Sequence, residues 1–257
     1  MKLCVSLPPI NNKKKGKNMN YSDFELKNLS MDDQLAMSSA FPVLMRKVYV
    51  WMTLALVITG FTAYGVATSP GVLQAIFGNP VLFWGMIIGE LALVIGVSAA
   101  INRLSLTMAT LMFILYSVIN GALLSSIFLI YTASSIATVF FITAGTFGAM
   151  ALIGYTTKTD LTSIGKYLFM ALIGLIIATV VNVFIKSEGF TYILSYIGVL
   201  IFVGLTAYDS QKIKQMLMQA PDAGEGAQKI ALLGALTMYL DFINLFLYLL
   251  RIFGKRD

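Results

Sequence analysis

Three carboxylates, Glu90, Asp209 and Asp241, lie inside stretches of chain that are otherwise apolar. A charged side chain at the centre of a bilayer costs about 2.5 to 3.5 kcal/mol on insertion scales, so each marks a candidate site for holding or moving a proton or a cation. The chain has no histidine, and Cys4 is its only cysteine. The usual His/Cys metal sites, histidine relays and an intrachain disulfide are therefore excluded, which leaves carboxylates to do any proton or cation chemistry. Each acid also has a bland reading. Glu90 could simply be protonated or hydrogen-bonded between helices, and Asp209, close to Lys212 and Lys214, could be a solvated helix end. For Asp241, in the middle of its segment, the bland reading is weakest.

Asp241 shares one helical stripe with Gly234, Thr237, Met238, Asn244 and Tyr248, while Leu240, Phe242, Phe246 and Leu247 cover much of the remaining surface. A weaker line of Gly198, Phe202, Thr206 and Asp209 runs along the preceding segment, which a single loop joins to it. Two carboxylates meeting between these helices in a low dielectric cannot both ionise cheaply. The pair is expected to hold one proton and to latch the helices by a strong hydrogen bond, and loss of that proton should push them apart. Two anionic oxygens are also a fair site for a hard cation, with Asp209 and Asp241 as the metal-ligating candidates and Thr206, Asn244 or water adding oxygen. Depth is the obstacle. Asp209 lies three residues from Lys212 but Asp241 twelve from Lys229, so contact requires the last helix to begin further into the cytoplasm, or to tilt.

The elements that must position these groups follow from composition. Of 257 residues 58% are hydrophobic and 12% charged, and the mean hydropathy is +0.83. The apolar residues come in runs of about 20, the length a helix needs to cross ~30 Å of hydrocarbon. Seven such segments are expected: 48–67, 81–101, 104–127, 136–155, 167–185, 191–209 and 230–252. Short linkers make successive helices antiparallel neighbours, and Pro70, Gly71, Gly78, Asn79 and Pro80 mark the first loop as irregular. The fold class is thus an all-α membrane bundle. The net charge of +6 does not indicate nucleic acid, because the basic residues sit in a tail and in short loops and form no single basic face.

Arg46, Lys47, Arg103, Lys158, Lys166, Lys212, Lys214 and Lys229 fall on one side, so the N-terminus is expected inside. Arg251, Lys255 and Arg256 would then lie outside if the seventh segment crosses fully, which is the favoured reading. Residues 1–40, with Lys13, Lys14, Lys15, Lys17, Asp23, Glu25, Asp32 and Asp33, read as a disordered cytoplasmic tail, within which Met19 opens a second, more ordinary start. Small residues four apart, namely Gly85/Gly89, Ser117/Gly121/Ser125, Ala144/Gly148 and Gly145/Ala149, are expected to pack inward.

The stretches GLTAYDSQKIK from Gly204, MYLDFINLFLYLLRIFG from Met238 and AGTFGAMALIGYTTKTDL from Ala144 closely resemble the Bax inhibitor-1 (transmembrane BAX inhibitor motif) family, in its bacterial form. The resemblance covers Ala40 to Gly254. It implies a bundle in which a central seventh helix is surrounded by six others, a bacterial inner-membrane location, and activity as a pH-sensitive calcium leak, with calcium as the transported ion and no bound cofactor. The family's paired aspartates map onto Asp209 and Asp241, which with Arg103 would form the pH sensor and gate. Arg103 occupies the basic position that can hold the first aspartate. Glu90, where relatives often carry an acid, would line the ion path with Thr206 and Asn244.

The principal alternative is a non-conducting membrane regulator that binds another membrane protein, such as a protease or a stress or cell-death factor. An enzyme is not expected. An intramembrane aspartyl protease would need Gly-x-Gly-Asp at its second aspartate, where this chain has Met238, Tyr239 and Leu240 before Asp241. Hydrolase, zinc and P-loop motifs are missing. Because the tail lacks apolar periodicity, truncation before Ala40 should leave membrane insertion and any ion flux at wild-type levels, measured by membrane fractionation and a liposome flux assay.

Overall fold

The computed structural model describes residues 31–220 and 224–256, with side chains described from Ala40 onward. Its helices are α1 (Met31–Ala67), α2 (Pro70–Phe77), α3 (Pro80–Ala100), α4 (Leu106–Leu124), α5 (Ile127–Ile130), α6 (Ala133–Thr156), α7 (Thr162–Ile185), α8 (Glu188–Met218) and α9 (Glu225–Phe253). Seven of the resulting segments are long and apolar enough to cross a membrane, α4 and α5 together forming the third. The expected tail lies largely outside the described residues, and α1 reaches back to Met31.

Short polar residues start most of these helices. Asn79 Oδ1 accepts from the amides of Val81 and Leu82, Ser105 Oγ from Met108, Thr132 Oγ1 from Ser135 and Ser187 Oγ from Phe190. Each satisfies amides that the first helical turn leaves open. Lys186, in the left-handed region at φ 55°, ends α7 with its amide on Asn182 O. The loop expected around Pro70 is instead α2. Proline fits the first position of a helix because the amide it lacks has no intrahelical acceptor there.

The last helix is the buried one. Two thirds (67%) of its apolar window is enclosed, against 6% for α3, and it packs against α1, α4, α6 and α8. Phe147 and Phe140 of α6 meet Phe242 edge-on at 5.4 Å, and Phe113 and Tyr116 of α4 do the same to Tyr239 at 5.9 and 5.7 Å. Such pairs add to the dispersion energy that holds helices together where lipid is as apolar as the core.

Contacts between loops define the two ends of the bundle. At one end Glu225 Oε1 accepts from the Leu106 amide and pairs with Lys229, and Lys47 Nζ donates to Gln228 Oε1. There too Gln211 grips the 157–161 loop through the Leu161 amide and Thr159 O. Thr162 donates to Asp160 through its hydroxyl and amide, which holds that carboxyl below the usual range. At the other end the chain leaving α9 pairs with the residues before α6: Arg256 bridges to Tyr131, Lys255 O accepts from Thr132 N, and Lys255 N donates to Ser135 Oγ. The seventh segment therefore crosses fully, and Arg251, Lys255 and Arg256 lie at the end opposite Lys212, Lys214 and Lys229.

The small-residue faces divide. Ser117, Gly121 and Ser125 pack inward, with Gly121 against the backbone of Thr59. Gly85, Gly89, Gly145 and Gly148 have open space where a side chain would be. Their spacing alone carried no information on which face the bundle would turn inward. Gly154, which no pairing singled out, lies against the backbone of Ala207. Gly154→Val should force α6 from α8 and lower stability by about 1–3 kcal/mol, whereas Gly145→Ala should be neutral; thermal unfolding in detergent distinguishes them.

Candidate functional site between the last two helices

α8 does not end at Asp209, as expected from the nearby lysines, but continues to Met218, and α9 begins at Glu225. Lys212 and Lys214 are thus on the helix body, Lys212 Nζ 5.8 Å over the Tyr208 ring and Lys214 Nζ 4.9 Å over Tyr155 with a bond to Tyr155 O. Asp209 is 4% exposed and Asp241 0%. Neither is a solvated helix end.

Packing contacts between α8 and α9 set their register. Gly234 lies against the side chain of Ile213, and near the other end Gly198 lies against the ring of Tyr248, on which Phe202 stacks at 5.9 Å. In an antiparallel pair, equal steps in opposite directions keep residues level. Seven residues back from Ile213 is Thr206, and seven forward from Gly234 is Asp241. Seven residues is about two turns, so both return to the face they started from. Thr206 therefore stands opposite Asp241. By the same walk Asp209 stands opposite Met238, one turn, about 4.5 Å, from the level of Asp241. The level of Met218 falls four residues inside the start of α9, so α9 begins further toward that end, as the depth argument required.

The other faces of α8 are close-packed against α6 and α7. Ser210 Oγ donates to Ala151 O, and Gly165 and Gly204 of α7 and α8 accept the Tyr208 ring and the Leu168 side chain respectively. Thr206 Oγ1 donates to Phe202 O and Asn244 Nδ2 to Leu240 O. Both therefore direct a proton into their own helix and keep an oxygen for another partner. Arg103 is exposed in the turn beside Leu106, at the end marked by Glu225. The level of Asp209 is about 20 Å further along the α9 axis. Among the described residues no three acidic, cysteine or histidine side chains gather into a metal-binding group.

Glu90, half-buried on α3, heads a second polar cluster. Its Oε1 accepts from Asn120 Nδ2, Tyr116 hydrogen-bonds the same carboxyl, and Asn120 Oδ1 accepts from the Tyr239 hydroxyl at 2.9 Å. Thr59 Oγ1 lies 2.7 Å from the Tyr239 hydroxyl and 3.0 Å from Ser117 O. Tyr239, fully buried two residues from Asp241, was not distinguished in the sequence because Met238 and Leu240 beside it are apolar and it lies off the stripe that carries Asp241. The available signal was a lone Asn120 in an apolar span opposite a membrane carboxylate, since Thr59 is one of three threonines, with Thr53 and Thr62, in its own span.

A family model for the inhibitor of apoptosis-promoting Bax1 matches residues 42–257. The chain belongs to the Bax inhibitor-1 family. It is 54% identical to the inner membrane protein YbhL of Escherichia coli K12 over 213 residues, 82% of this chain and 91% of that protein. An uncharacterized protein of Borreliella burgdorferi is 47% identical over 210 residues, covering 82% and 90%, and one of Rickettsia prowazekii is 43% identical over 216, covering 82% and 89%. Seven apolar spans and likeness to an inner membrane protein place this family member in the bacterial inner membrane as a multi-pass protein.

The register is directly testable. With Cys4→Ser, Ile213→Cys and Gly234→Cys should cross-link on mild oxidation, since their neighbouring positions satisfy disulfide reach, whereas Ile213→Cys with Met238→Cys should not. Gel mobility before and after reduction reports the outcome.

Proposed function

We propose that this protein is a pH-sensitive calcium leak, not an enzyme, in which Asp209 and Asp241 form the proton-controlled gate and the cation site. The observation that carries the reading is two interior carboxylates on facing stripes of α8 and α9, one turn apart. With one proton shared, the carboxyls hold α8 to α9; without it, repulsion between two anions in a low dielectric favours separation. The same loss of a proton supplies the charge that attracts a divalent cation. Opening and affinity therefore have the same sign: flux rises as pH rises through the titration of the pair.

Two carboxylates, with Thr206 level with Asp241, offer fewer oxygens than the six to eight that calcium takes in a tight site. Water would complete the shell. That suits an ion which must enter and leave, since conduction requires binding too weak to trap. Arg103, at the bundle end, would act on ions or on the open form, not as a partner of the closed pair.

The experiment is calcium flux from purified protein in liposomes across pH. Asp209→Asn and Asp241→Asn should each reduce flux several-fold and flatten its pH dependence, because an amide keeps the hydrogen bond but cannot be repelled. Alanine at either position removes latch and charge together and should leave the path less tightly closed. No flux from the wild-type protein would replace this reading with that of a non-conducting regulator of another membrane protein. Unchanged pH dependence in both asparagine variants would move the sensor elsewhere.

A further inference from the structure

The Glu90 cluster contains a proton count that does not close when Glu90 is charged. A charged carboxylate only accepts, so Asn120 must turn Nδ2 toward it and Oδ1 toward Tyr239, and the Tyr239 hydroxyl must donate to that Oδ1. Tyr239 then has no proton left for Thr59. Thr59, with one hydroxyl proton, faces two acceptors, the Tyr239 oxygen at 2.7 Å and Ser117 O at 3.0 Å. One of these two short contacts must go without a hydrogen.

A proton on Glu90 removes the deficit. The carboxylic acid donates to Asn120 Oδ1 once the amide turns by half a revolution, an exchange of oxygen and nitrogen that leaves the other heavy atoms in place. Asn120 Nδ2 then donates to the Tyr239 oxygen, Tyr239 to Thr59, and Thr59 to Ser117 O. Every contact carries one hydrogen, and the whole chain runs in one direction, from α3 through α4 and α9 to α1. The other groups facing Glu90 fit either state. Tyr116 of α4 can donate to the second carboxyl oxygen, and α2, also packed on α3, carries no titratable side chain.

We propose that Tyr239 is a positioning residue that reads the protonation of Glu90: the hydrogen-bond chain Glu90–Asn120–Tyr239–Thr59 reverses direction with the charge on Glu90, and only when Glu90 is protonated do all the contacts that join α9, α1 and α4 through Thr59 carry a hydrogen. Tyr239 is two residues from Asp241 on the same helix. Proton binding at a separate carboxylate, on a different helix, is thereby transmitted to the helix that carries the aspartate, and in the same sense, acid tightening and base loosening. The device requires no ion flux and stands whether or not the protein conducts.

The test is pH-difference infrared spectroscopy of the full-length protein in lipid, in an Asp209→Asn/Asp241→Asn background, so that Glu90 is the remaining carboxyl deep in the described bundle. Alkalinisation should deplete a protonated-carboxyl band that Glu90→Gln abolishes. It should also produce a tyrosine hydroxyl signal that persists in Tyr116→Phe and is lost in both Tyr239→Phe and Glu90→Gln. Thr59→Val, which removes the far end of the chain without touching Glu90 or Tyr239, should shift that tyrosine signal and leave the carboxyl band in place. Glu90→Gln, whose amide can donate as the acid does, should hold Tyr239 in its low-pH state at every pH. A Glu90 band with no tyrosine signal assignable to Tyr239, or a tyrosine signal that survives Glu90→Gln, overturns the proposal. So does the lack of any Glu90-dependent band.

Discussion

A helix that carries a carboxylate into the middle of a bilayer cannot face lipid, and much of this structure follows from that constraint on α9. Backbone groups in hydrocarbon are satisfied within the helix, but Asp241 and Tyr239 need partners from other helices. α9 is accordingly enclosed by α1, α4, α6 and α8, and Asp241, Tyr239 and Met238 are sealed from the surface. The outer helices are free to be apolar all round. α3, with Val81, Trp84 and Ile88 exposed, needs only its Glu90 side turned inward.

Holding a polar helix in place without a hydrophobic driving force between helices requires close approach. Glycines supply it where the partner is backbone or a ring: Gly121 at Thr59, Gly154 at Ala207, Gly165 at Tyr208 and Gly198 at Tyr248. These contacts are not accessory to the carboxylate pair. The Gly198 and Gly234 contacts set the register of α8 on α9, and a shift of one turn would move Asp209 either level with Asp241 or two turns from it. The spacing that decides whether two acids share a proton is thus determined by side chains that carry no charge.

α9 also bears two buried polar groups close together in sequence. Asp241 stands level with Thr206 of α8, whereas the Tyr239 hydroxyl meets Thr59 of α1 and Asn120 of α4. In the proposed reading both sites use protons to join helices, and both lose something when a carboxylate ionises. A bundle whose last helix is held by hydrogen bonds on two sides has a natural response to pH, because loosening either side frees the same element. The bonds of Gln211 to the 157–161 loop and of the α9 exit to Tyr131, Thr132 and Ser135 involve no carboxylate. They secure the two ends whatever the charge in the middle of the bundle.

The sequence by itself determined the membrane class, the seven spans and the placement of Asp209 and Asp241 on polar stripes, whereas the end of the bundle at which the last helix leaves, against which Arg251, Lys255 and Arg256 argued, was decided by its pairing with Tyr131, Thr132 and Ser135. The former depend on local quantities, namely run length, helical period and charge bias, which a single segment expresses. It did not determine how far α8 runs past Asp209, because a lysine near a helix end and a lysine on a helix body have the same neighbours in sequence. It misjudged Gly85, Gly89, Gly145 and Gly148 for a related reason: in lipid a small-residue face is equally at home outside, and only the partner helix decides. Tyr239 was hidden most completely. Its role exists through Asn120, Thr59 and Glu90, between 119 and 180 positions away in the chain, and what joins them is that buried hydroxyls and amides in hydrocarbon must find one another, a requirement that belongs to the assembled bundle and to none of its helices alone.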